Sequence, residues 1–146
     1  MALMDVMALC LAPTLMLGGA ATLHPNTAHT SDRDGVTMEA QTCTTGLGAH
    51  VFVLSSGFGA VGIQYGIPIP LPFRSTLIIQ PFFGGSHTTR PTPELPQTTQ
   101  FWTGANVMVR HDGWLVGAKW GHASNAGMTA PNIGLDLVTG FIGKEF

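Results

Sequence analysis

The sequence predicts an all-β chain closed into an antiparallel barrel that spans a membrane, and three observations carry that expectation. First, only 10% of the 146 residues are charged while 45% are hydrophobic. A soluble domain carries about 25% charged residues, but a barrel whose outer wall faces lipid has no such need. Second, short runs of alternating residues separated by turn signals recur along the chain, with no helical period and no repeat at fixed spacing. Third, beyond the N-terminal segment no apolar run reaches the length of a membrane-spanning helix. A chain embedded in a membrane without helices must close into a barrel, because an open sheet edge would leave backbone groups unpaired in hydrocarbon. The formal net charge of −2 gives no basic footprint, so nucleic acid is not an expected partner.

From the N-terminus, residues 1–21 read as a signal peptide. An apolar stretch from Val6 to Leu17 leads into Gly18-Gly19-Ala20-Ala21, the small residues that a cleavage site requires. No Lys or Arg precedes the apolar core, and Asp5 has the opposite sign to the usual flank. Cys10 would leave with this segment. Cys43 would then stand alone, unable to form an internal disulfide, and reads as a small apolar filler. Residues 22–146 form the expected barrel domain, opening on a polar segment from Thr22 to Thr45 in which Val36 to Cys43 is a poorly marked strand.

Six strands are clear: His50 to Leu54, Ala60 to Ile67, Arg74 to Phe83, Gln100 to His111, Trp114 to Ser124, and Ile133 to Phe146. Eight is the expected total. The strongest hairpin signal is His111-Asp112-Gly113-Trp114, since Asp-Gly supplies the two positive-φ residues of a type I′ turn. A two-residue turn pairs 111 with 114, so odd positions before it share a face with even positions after it. Phe101, Thr103, Ala105, Val107 and Val109 thereby join Trp114, Val116, Ala118 and Trp120 on one apolar side, assigned to lipid. Gln100, Asn106, Arg110, Gly117, Lys119 and Gly121 fall on the lumen side; Trp102, Met108 and Leu115 break the pattern. The tight Asp112-Gly113 turn belongs on the periplasmic side and the Pro-rich Ser86 to Thr99 segment on the other. Ile67 to Pro72, with three alternate prolines, reads as a rigid connector. Phe146 supplies the terminal aromatic common in such barrels.

Two patterns invite other functions. Gly57-Phe58-Gly59-Ala60-Val61-Gly62 matches G-x-G-x-x-G, but no helix signal follows and no acid lies in the next two dozen residues, so glycines of a turn and a barrel wall explain it better than a dinucleotide. His24, His29, His50, His87 and His111 show no metal-ligand spacing.

The chemistry-bearing string is Gly121-His122-Ala123-Ser124-Asn125-Ala126-Gly127, followed by Pro131-Asn132-Ile133-Gly134-Leu135-Asp136. His122 and Ser124 are two apart, so on a strand they share a face. They continue the even series from Trp114 to Trp120 and therefore point outward, near the rim opposite the Asp112-Gly113 turn. A base and a nucleophile stand side by side, with Asp136 as a candidate orienting acid. Alone, His-x-Ser reads more readily as an outward polar pair at the barrel rim, since polar rims are ordinary in barrels. The full string resembles the C-terminal signature of the lipid A 3-O-deacylases, small β-barrel esterases of Gram-negative outer membranes. The likeness is close from Trp120 to Asp136 and elsewhere rests on architecture and length.

That resemblance implies an outer-membrane serine esterase removing the ester-linked 3-O acyl chain from lipid A of lipopolysaccharide, with no metal or organic cofactor. It implies a triad of Ser124, His122 and Asp136, an oxyanion hole from the Asn132 side chain and the Ala126-Gly127 backbone, and substrate contacts from Asn125 and Trp120. The family's acid is typically Glu; Asp is one methylene shorter, reducing its reach by roughly 1.3 Å. Two other readings fit the same strands: a non-catalytic small outer-membrane barrel with a structural or adhesive role, and an inactive, truncated member of the family.

Overall fold

The computed structural model describes residues 12–23, 34–89, 98–125 and 134–146. They form eight strands: β1 (Thr14–Leu23), β2 (Gly35–Gln41), β3 (Gly46–Leu54), β4 (Phe58–Pro70), β5 (Ser75–Thr88), β6 (Thr99–His111), β7 (Trp114–Ser124) and β8 (Leu135–Glu145). Each pairs antiparallel with the next, and β8 pairs back onto β1, closing the barrel. Closure gives every described strand a partner on both sides. At one end β1, β5 and β7 finish and the described turn at 55–57 joins β3 to β4. At the other end all three connections, 42–45, 71–74 and 112–113, are turns of two to four residues, which makes it the periplasmic end by the rule that barrel turns there are short.

The β6–β7 hairpin follows its turn chemistry. Asp112 and Gly113 take φ of 48° and 77°, and His111 pairs with Trp114. Alternation then runs as expected: Phe101, Val107, Val109, Trp114, Val116 and Trp120 are exposed on the wall. The three residues that broke the pattern are explained by the lumen. Trp102, Met108 and Leu115 are fully buried and fill it, as an eight-stranded barrel requires, since its interior is just wide enough for side chains.

Several expected boundaries shift. The structure puts Thr14–Leu23 in the barrel wall, so a domain boundary after Ala21 does not coincide with an edge of the barrel. Cutting there would remove the strand that joins β2 to β8. Ile67 to Pro70 is not a connector but the end of β4. Pairing with β3 stops at Gly46↔Gly66, while pairing with β5 continues from Ile67↔Ile79 to Pro70↔Thr76. Proline lacks an N–H to donate and is tolerated where a strand has one free side. β5 starts at Ser75 rather than Arg74, because Phe73 and Arg74 occupy the turn at φ of 59° and 58°. It runs on to Thr88, so the Pro-rich connection is shorter than Ser86 to Thr99. Val36 to Cys43 resolves into β2, Gly35–Gln41. His24, His29, Pro91, Pro93 and Pro96 lie outside the described residues. The G-x-G-x-x-G run is a turn at Gly57 followed by the wall of β4.

The lumen is layered. Toward the end away from the periplasmic turns, Trp102 stacks on Phe52 (ring centres 5.7 Å apart, 21°) and Phe82 (5.4 Å, 29°), and meets Phe58 edge to face with ring centres 5.2 Å apart. Toward the periplasmic end lie Met16, Ile78, Met108, Leu115 and Phe141. A polar band separates them. There the buried Lys119 pairs with Glu39, its ammonium 5.0 Å from the Phe52 ring centre and 4.7 Å from that of Phe82. Gln41 Nε2 donates to Glu39 Oε1 (2.8 Å) and to Gln80 Oε1 (3.0 Å), and Asn106 Nδ2 donates to the same Gln80 oxygen (2.6 Å). Arg110 and Glu145 close the periplasmic mouth at 3.0 Å. The interior is thus a packed core.

Candidate active site on the outer wall

His122 and Ser124 fall on the outward series of β7, near the end of the strand away from the tight turns, and both are half-buried. Across the β7–β8 ladder the register sets His122 directly opposite Asp136. The outward parity of β8 is clear in its burial pattern: Leu135, Leu137, Thr139 and Phe141 are buried, while Asp136, Val138, Gly140 and Ile142 are not. Sequence alternation alone leaves this face undecided, because Leu137 and Phe141 are as apolar as Val138 and Ile142. The lumen resolves it by taking the larger set.

The His122 Nδ1 atom lies 2.9 Å from Asp136 Oδ1. A carboxylate only accepts, so Nδ1–H is the donor, and in the neutral imidazole Nε2 is then the nitrogen that can accept a proton. The shorter reach of Asp is offset by direct opposition in the ladder, where facing Cβ atoms are about 4.5–5.5 Å apart. Side-chain exposures of 31% for His122 and 37% for Asp136 leave the pair open to the surroundings. Trp120 stacks on the imidazole, with ring centres 6.4 Å apart and planes at 26°. On the far side of β7, Thr103 pairs with His122 and Phe101 with Ser124.

Of the expected site residues, the structure brings together His122, Asp136 and Trp120, and sets Ser124 on their face. Asn125 occupies the alternate position and is 4% exposed, away from that face. Ala126, Gly127 and Asn132 lie outside the described residues. Two glycines of the motif gain reasons that sequence reasoning missed. Gly121 stands where any Cβ would run into the Trp102 ring, so it makes room for the lumen core directly beneath His122. Gly134, at φ +77°, lies against the imidazole of His122. Its place just ahead of Asp136 was the only available signal. Among the described residues, no cluster of His, Cys, Asp and Glu has metal-site geometry.

A closed eight-stranded barrel with an apolar outer wall, bearing a histidine–carboxylate pair and a serine on its outward face, defines a class: small outer-membrane barrels. Residues 70–145, just over half the chain, match the family described as lipid A 3-O-deacylase (PagL), and the chain belongs to that family. Its fold is similar to that in the crystal structure of the outer membrane enzyme PagL, with 17% identity, 92% of this chain and 100% of that chain covered, and a TM-score of 0.59. A looser likeness is to the Yersinia pestis outer membrane protein Ail, with 12% identity, 92% and 99% covered, and a TM-score of 0.49. No curated protein sequence matches. The family and the fold place the chain in the bacterial outer membrane.

Proposed function

We propose that this protein is a serine esterase that removes the ester-linked 3-O acyl chain from lipid A. The observation that carries the reading is the 2.9 Å contact between His122 Nδ1 and Asp136 Oδ1, made on the outward face that also bears Ser124. With Nδ1–H held by Asp136, His122 Nε2 takes the proton of Ser124 as its Oγ attacks the ester carbonyl. The tetrahedral intermediate collapses with the acyl group on Ser124, and the same imidazole returns the proton to the departing sugar hydroxyl. Water, deprotonated by His122, then releases the fatty acid and regenerates Ser124. The developing oxyanion needs donors aimed at it; the family resemblance assigns these to Asn132 and the backbone of Ala126 and Gly127.

Position supports the substrate. The site lies at the rim opposite the 42–45, 71–74 and 112–113 turns, hence at the outer leaflet, and the wall below it is apolar. A lipid ester can therefore reach Ser124 from the membrane without leaving it. The test uses purified protein in detergent, with Ser124→Ala and His122→Ala each judged folded by heat-modifiable gel mobility. Each is expected to lower turnover about 10³-fold or more without loss of stability, since neither side chain fills the core. Undiminished release of fatty acid by folded Ser124→Ala would remove the serine from the mechanism.

A further inference from the structure

We infer that Gly134 is a positioning residue for His122, an inference that rests on the esterase reading above. Gly134 immediately precedes β8 and holds φ at +77°, in the left-handed region that glycine enters without a steric penalty. A Cβ placed on it would stand 2.7 Å from His122 Cε1, 3.0 Å from Nε2 and 3.1 Å from the Ala123 carbonyl oxygen. The bare backbone of Gly134 therefore packs against the edge of the ring that carries Nε2, the nitrogen left to accept the proton of Ser124. The imidazole is held on three sides: Asp136 at Nδ1, Trp120 across one face, and Gly134 along the Cε1–Nε2 edge. Any larger residue must push the ring away. The ring can yield only by loosening its bond to Asp136 or its stack on Trp120, and displacement of a catalytic group by about 1 Å can cost a hundredfold in rate.

A second glycine separates this effect from backbone strain. Gly46, at the start of β3 and the opposite end of the barrel, has a similar φ of +72° but nothing within 4 Å of its Cβ position. Alanine at Gly46 imposes the same left-handed strain with no neighbour to displace. The experiment compares wild type, Gly134→Ala and Gly46→Ala as full chains refolded in detergent. Steady-state kinetics on a lipid ester are measured together with the proton NMR signal of the His122 Nδ1–H. Folded Gly134→Ala is expected to lose kcat about a hundredfold, with KM within twofold and the Nδ1–H signal shifted or lost; Gly46→Ala should match wild type in both. If Gly134→Ala does not fold, Gly134→Asn replaces it, because Asn tolerates the left-handed region while carrying the same Cβ. The inference is overturned if the Gly134 variant keeps both kcat and signal, or if Gly46→Ala loses as much. The NMR readout needs no turnover. An inactive wild type with an intact Nδ1–H signal that responds to Gly134 would count against the esterase reading and leave the positioning inference standing.

Discussion

At the scale of single residues, the catalytic proposal turns on which nitrogen of His122 carries hydrogen. Asp136 sets this through one bond, so replacing its carboxylate with an amide should permit the wrong tautomer without moving the ring. Asp136→Asn is expected to lower kcat by about 10²–10⁴-fold with little change in KM, measured on a lipid ester in detergent. Full activity in Asp136→Ala would instead leave a Ser–His dyad. The pairing of His122 with Ser124 is legible in the sequence, because a strand puts residues two apart on one face. Asp136 is legible there only as a candidate: its strand is apolar on both sides, and only the lumen's need for Leu137 and Phe141 turns the acid outward. Gly121 and Gly134 are visible as motif letters, but their purposes are steric and concern partners distant in sequence or outside any spacing rule.

At the scale of strands, β7 does two jobs with its two faces. Outward it carries Trp120, His122 and Ser124; inward it carries Leu115, Lys119 and Ala123, which tie it to the core. Lys119 is the most consequential of these, since it is buried against Glu39 on β2 across the lumen. Removing one partner should strand a charge in a dry interior. Lys119→Met is expected to destabilise the barrel by about 3–5 kcal/mol, and Glu39→Gln added to it should recover much of the loss. Unfolding in urea, read as a double-mutant cycle, checks this; additive losses would mean that the two groups act independently. Gly121→Val should cost about 1–3 kcal/mol by overpacking against Trp102, seen as a lower unfolding midpoint. The hairpin at Asp112-Gly113 can be read from sequence because its turn demands two positive-φ residues. β1 cannot, because Leu15, Met16, Leu17 and the small residues after them are apolar or small on both faces, and such a run has no alternation to reveal a strand. Pro68 and Pro70 mislead for a related reason: the free side of β4 that accommodates them depends on where β3 ends.

At the scale of the whole molecule, closure requires all eight strands, and β1 is the one that joins first to last. A chain starting at Thr22 is expected to lose heat-modifiable gel mobility, whereas one starting at Ala12 should keep it. The molecule also has a polarity, with the 42–45, 71–74 and 112–113 turns at one end and the candidate site at the other, and the proposed chemistry would therefore meet the outer leaflet. The central claim joins that placement to the chemistry. The most direct test is mass spectrometry of lipid A from Gram-negative cells lacking any related activity, expressing either the wild-type chain or Ser124→Ala at equal outer-membrane levels. Lipid A lighter by one 3-hydroxyacyl group with wild type, and unmodified with Ser124→Ala, is the predicted result. Unmodified lipid A in both, with the barrel folded in the outer membrane, would contradict it.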